Sequence, residues 1–174
     1  KQSGVYANDG TFNIPPGSAL TIAGQSQTFN QNGGTLSAAG SFAGTSMSFN
    51  FNGGAVTGTP VLINSALSLG AGGGAGSFSM QGQIGNTLSG NILPGQTVRV
   101  NGTAATHAVL TAAAGFTNAG TIGLENLSGG PVSTLRVSAG VLTNTGTMLF
   151  SPGSGGLRKL EADLVNEGTI NVDA

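Results

Sequence analysis

The sequence predicts an all-β chain, a single-stranded parallel β-helix (β-solenoid) of about eight coils, each 20–26 residues long. Three observations predict it. A pentad of the form Asn-x-Gly-Thr-apolar recurs along the chain. Positions at fixed offsets from it hold one class of residue. The apolar positions around it alternate with period two, which marks strands rather than helices.

The pentad is clearest as Asn118-Ala-Gly-Thr-Ile122, Asn144-Thr-Gly-Thr-Met148 and Asn166-Glu-Gly-Thr-Ile170. Upstream it returns as Asn8-Asp-Gly-Thr-Phe12 and Asn32-Gly-Gly-Thr-Leu36, and more loosely as Asn52-Gly-Gly-Ala-Val56. Two degenerate copies, Gly74-Ala-Gly-Ser-Phe78 and Pro94-Gly-Gln-Thr-Val98, fill the gap at the expected period. The first column (Asn8, Asn32, Asn52, Asn118, Asn144, Asn166) suits a structural turn. Asn tolerates left-handed backbone angles, bonds nearby backbone, and can stack as an amide ladder between coils. The third column (Gly10, Gly34, Gly54, Gly120, Gly146, Gly168) reads as turn glycine with φ > 0, and Gln96 is its one break.

The fourth column holds only small residues, from Thr11 to Thr169, and should point outward. The fifth is apolar throughout: Phe12, Leu36, Val56, Phe78, Val98, Ile122, Met148 and Ile170. Two residues on, seven of eight positions are apolar, with Gly58 the exception. Spacing of i and i+2 puts both apolar side chains on one face of a strand. Further alternating strands follow, clearest at Leu20-Thr-Ile22 and Leu135-Arg-Val137. One such coil cannot bury its apolar face alone, and stacking on the next coil buries it. Coils about 4.8 Å apart make eight of them a rod of roughly 38 Å. Right-handed winding is the default for parallel crossovers. An antiparallel sandwich also shows short strands and turns, but needs no column identity. Leu157 to Val165 has some helical spacing, though its place in the repeat favours a strand. Thr103 to Ala114 is Ala-rich without clean alternation and is left unassigned.

The chain has 174 residues, read as a single solenoid domain over 1–174 and as a fragment or module of something larger. Net charge is −1, so the clustered Lys and Arg that nucleic acid requires are missing. The absence of Cys excludes thiolate metal sites, disulfides and Cys nucleophiles. No apolar run is long enough for a membrane-spanning helix. Charged residues are only 6% of the chain, and Asp9 is the one charge in residues 2–98. A nearly uncharged stretch lacks protection against edge-to-edge pairing, so end-to-end association through the N-terminal coils is expected.

The segments Gly115–Leu124, Val141–Met148 and Asp163–Val172 resemble coils of large secreted bacterial surface proteins, such as autotransporter passenger domains and filamentous-haemagglutinin-type adhesins. The resemblance covers residues 116–172 well and the rest loosely. It implies a right-handed parallel β-helix and a secreted or cell-surface location. It carries over no catalytic residue.

Candidate chemistry is sparse. His107 is the only histidine, with no carboxylate near it in sequence, and reads as a loop or surface residue. Glu161 and Asp163 share a strand face, as paired carboxylates of glycoside hydrolysis do, but more simply form a solvated patch with Arg158 and Lys159. Gly70 to Gly76 lacks the spacing and the Lys of a phosphate loop and reads as a turn between coils. No Asp recurs as calcium-binding solenoids require. The Thr column suggests ice binding, but the residues two further on form no paired Thr row. With no Trp and one Tyr, aromatic sugar platforms are absent, and the Phe residues in repeat columns read as core. No catalytic residue, metal or cofactor is expected. The expected function is a non-enzymatic structural or adhesive module that associates with itself or with adjacent domains. A carbohydrate-binding or polysaccharide-degrading β-helix is the alternative, with glycan as partner, and an ice-binding solenoid a further one.

Overall fold

A computed structural model describes residues 3–151, 153 and 156–173. It is an all-β solenoid of about eight turns, and every pairing between its strands is parallel. The first coil holds β1 (Gly4–Asn8), β2 (Thr11–Ile14) and β3 (Ala19–Ala23), and the second holds β4 (Gln27–Gln31), β5 (Thr35–Ala38) and β6 (Ser41–Thr45). The third holds β7 (Ser48–Thr57) and β8 (Val61–Ile63), and the fourth β9 (Ala66–Gly73) and β10 (Gly76–Gln81). Next come β11 (Asn86–Ser89) and β12 (Gln96–Gly102), then β13 (Ala108–Ala112), β14 (Phe116–Asn118) and β15 (Thr121–Asn126). The last two coils are β16 (Ser133–Asn144) with β17 (Thr147–Phe150), and β18 (Arg158–Asn166) with β19 (Thr169–Val172).

Two long sheets result. One runs β3-β6-β8-β10-β12-β15-β17-β19, and the other carries β1, β4, β7, β9, β11, β13, β16 and β18 along its length. Between them a shorter side holds β2, β5 and the end of β7. The ambiguous stretch after Thr103 is a tight turn closed by mutual Thr103–Thr106 backbone bonds, followed by β13. The stretch after Leu157 is the strand β18, whose inward Leu160, Ala162 and Leu164 pack on the core.

The apolar columns stack as the pattern requires, but as two ladders. Phe12, Leu36 and Val56 pair in register on the short side. Phe78, Val98, Ile122, Met148 and Ile170 pair in register on the long sheet. There the column two residues on, from Met80 to Val172, continues upstream through Leu62, Gly44 and Ile22. The switch falls between the third and fourth coils, where the glycine-rich segment Gly70–Gly76 runs mainly as strand and not as a turn. Gly72 pairs with Gly53 and Gly73 with Gly54, and a Cβ at Gly73 or Gly76 would press on the Phe51 ring. Small residues let the backbone cut this corner.

The core changes character along the axis. In the early coils it is aromatic: Phe29 stacks on Phe49 at 5.2 Å, and Phe42 and Phe78 meet Phe49 edge-on at 5.6 and 5.5 Å. Further on it is aliphatic, with Val98, Ile122, Leu124, Leu135, Leu142 and Met148 at most 1% exposed.

Gln96, the break in the glycine column, has a physical reason. Its buried amide donates to the carbonyls of Gly73 (3.2 Å) and Gly74 (3.1 Å) and accepts from the Leu93 N–H (3.0 Å). It closes the hydrogen bonds that the cut corner leaves open. Gln96→Leu keeps the volume and strands those three groups. The expected cost is about 2–4 kcal/mol, read as a lower urea midpoint at unchanged slope.

Candidate binding groove

The repeat residues expected to form turns divide into two sets. Asn8, Asn118 and Asn144 close a strand and point inward, at most 6% exposed. Asn118 donates through Nδ2 to Asn144 Oδ1, and Asn144 to Asn166 Oδ1, both at 2.7 Å. Each also donates to the next coil's threonine carbonyl, Thr147 (3.1 Å) or Thr169 (3.2 Å). Asn8 makes the same pair of bonds, to Gln31 Oε1 (2.8 Å) and the Thr35 carbonyl (3.2 Å). So Gln31, not Asn32, stands beneath Asn8. Asn32 and Asn52 lie on the outside and bond each other at 2.9 Å. None of these Asn residues has positive φ; their use is the amide ladder.

The glycines also differ from the turn reading in their reason. Only Gly34 (φ 58°) and Gly54 (φ 74°) of the six are left-handed. At Gly120, Gly146 and Gly168 close approach decides: a Cβ would collide with a carbonyl of the preceding coil, Gln96, Gly120 or Gly146 in turn.

A concave surface lies at the corner where each coil passes from the β3–β19 sheet to the β1–β18 sheet. The turns there are short in early coils, at Ser46–Met47 and Asn64–Ser65, and long later, at Thr103–His107 and Leu127–Val132. Ser46 (φ 53°) and Asn64 (φ 50°) are the two non-glycine residues with positive φ among those described. Asn64 offsets the strain by accepting the Ile84 N–H at 3.3 Å. The longer turns form a ledge, tied down where the Val132 N–H donates to His107 Nδ1 at 2.7 Å.

Along that corner four depressions adjoin, of about 370, 390, 730 and 400 Å³, sharing Gln25 and Ser46, then Asn64 and Ile84, then Gln83, Ile84 and His107; the ledge borders the last two. Together they make a groove along the rod, from the first coil to the last. Its early part offers amides and hydroxyls beside the exposed Ile84. Its last part adds Arg136, Lys159 and Glu161, with Arg136 Nε paired to Glu161 Oε2 at 2.7 Å. Such a lining gives and accepts hydrogen bonds without charge over most of its length and presents a few apolar contacts.

His107 is exposed, as a surface residue should be, and lies in this groove. Glu161 and Asp163 both face solvent from β18, but only Glu161 reaches the groove; Asp163 pairs with Val141 beyond a bulge in β16. Among the described residues no three His, Cys, Asp or Glu side chains gather as a metal site, and no helix is long and apolar enough to cross a membrane. The groove carries no periodic sequence signal. Its one trace is the lengthening interval between the two sheets' strands after Gly102 and Asn126. No family model, curated protein or solved structure matches the chain.

Proposed function

We propose that the chain is a non-enzymatic structural and adhesive rod, acting outside a bacterial cell and associating end to end. The observation that carries this is where its polar side chains go. Asn8–Gln31, Asn30–Asn50, Asn32–Asn52 and Asn118–Asn144–Asn166 all bond from one coil to the next. The ion pairs Arg99–Glu125 and Arg136–Glu161 do the same. These amides and charged groups hold coils together, which suits a part that extends and displays. The extracellular, bacterial placement rests on the resemblance of residues 116–172 to coils of secreted surface proteins.

The groove is the adhesive surface in this reading. It also favours a second reading, a polysaccharide-degrading β-helix, because Glu161 lines it. Incubation with a panel of neutral and acidic polysaccharides separates the two. Saturable binding without release of reducing ends is the expected result. Release of reducing ends that is lost in Glu161→Gln would replace the rod reading with the enzymatic one.

A further inference from the structure

The two depressions that share Gln83, Ile84 and His107 differ from the rest of the groove. Their floor is the outer face of β13, β16 and β18. Val109, Thr134 and Lys159 are register partners in one outward column, and Thr111, Arg136 and Glu161 in the next. Arg136 and Glu161 neutralise each other, so Lys159 gives this stretch of the lining its positive charge. Thr134 is 5% exposed and lines the floor, yet its hydroxyl has no hydrogen-bond partner among the described residues. Such a hydroxyl keeps both a donor and an acceptor for a ligand.

Two turns wall this floor. His107 in one of them is set by Val132, whose N–H can only donate. Nδ1 is therefore the acceptor, at 2.7 Å, and the ring proton sits on Nε2, where it remains to be donated. The other turn, at residues 82–85, is anchored by the Val109 N–H on the Gly82 carbonyl at 3.1 Å and carries Ile84, 72% exposed. A cation, an imidazole N–H, a free hydroxyl and an apolar side chain thus border one hollow. They match an acidic sugar unit, with its acid group, ring hydroxyls and C–H face. The earlier length of the groove suits neutral units, since residues 10–98 contain no charged side chain. A peptide fits less well. The strands run across the groove, and β13 and β16 are bonded to neighbours on both sides, so an extended peptide finds no backbone ladder to join.

We propose that this hollow is the subsite for an acidic sugar unit, carboxylated or sulfated, of a polysaccharide whose neutral units lie along the earlier groove. Lys159 and His107 Nε2 hold the acid group, Thr134 and Gln83 the hydroxyls, and Ile84 the apolar face. The proposal rests on the reading of the groove as the adhesive surface, and deepens it by naming the class of ligand.

The chain's net charge of −1 opposes non-specific attraction of polyanions, so selection for an acidic polymer has to come from a local site. Binding is measured to hyaluronan and polygalacturonate beside their carboxyl-reduced forms, and to a sulfated galactan beside its desulfated form. At least one acidic polymer should bind about tenfold or more tightly than its neutralised form. Lys159→Gln, at an exposed position, should abolish that difference. Arg99→Gln makes the same change in net charge on the outer face of the other sheet and should preserve it. Thr134→Val should weaken both the acidic and the neutralised form by a similar factor. If acidic and neutralised forms bind alike, or Lys159→Gln and Arg99→Gln have equal effects, the acidic subsite is wrong and the adhesive groove stands. If none of the six polymers binds saturably, both are overturned.

Discussion

Ile122→Asp is expected to destabilise the rod by at least about 3–5 kcal/mol, a large part of the total stability of an ordinary domain. Ile122 is 1% exposed and is stacked in register between Val98 and Met148. No donor lies in that column to meet a carboxylate, and the nearest charges, Arg99 and Glu125, are paired on the outer surface. The introduced group must either stay charged without a partner or take up a proton. Its folded pKa is therefore raised above the unfolded value of about 3.9. Below that value both states are neutral and only the lost packing counts. As pH rises through it, the unfolded state ionises first and stability falls. The variant should thus recover part of its loss near pH 3 relative to the parent, seen in urea midpoints at the two pH values. Two controls bound the result. Ile122→Val should cost about 0.5–1.5 kcal/mol. Thr121→Asp, one residue away and outward, should stay within about 0.5 kcal/mol. If Ile122→Asp melts with the parent, the inward assignment of the column is wrong.

That column was legible from Phe78 to Ile170 because stacking demands an apolar residue at one offset in each of those coils. What the sequence hid is backbone register. Asn32 lies at the right period after Asn8, but the residue beneath Asn8 is Gln31, since an amide on a longer stem reaches the same bond. In the degenerate fifth coil the ladder position is Ile92, two residues before the expected Pro94. Ile92 also explains why the amide ladder begins at Asn118: its Oδ1 has no bond, because an isoleucine stands where a donor would be. The transfer of the apolar column from one side to the other was hidden for a similar reason. Both sides ask for the same apolar–x–apolar pattern, and only the packing of Gly72 and Gly73 on Gly53 and Gly54 says which side a strand joins. The groove was less legible still. It is made by turns of unequal length, and turns contribute shape without a repeated residue.

The amide ladder leads to the second large effect, at Asn144. It accepts from Asn118 and donates to Asn166 and to the Thr169 carbonyl, with no exposure at all. Asn144→Leu preserves the volume, so no cavity enters the account. The loss is that of a buried network: the Thr169 carbonyl loses a donor, and Asn118 Nδ2 keeps only the Thr147 carbonyl. About 2–4 kcal/mol is expected, against about 1 or less for Asn166→Leu, where water replaces the partner. The form of the loss matters as much as its size. In a solenoid each coil is held by its neighbours, and the last coil has one neighbour within the chain. Weakening the seventh-to-eighth interface should therefore release β18 and β19 before the rest. Hydrogen exchange on Asn144→Leu should show those strands exchanging early while β10, β12 and β15 keep their protection. Asn118→Leu combined with Asn144→Leu should cost less than the two separately, because the second substitution removes a partner already stranded by the first. Strict additivity, or uniform exchange along the rod, would mean that the amides share a column without acting as a ladder.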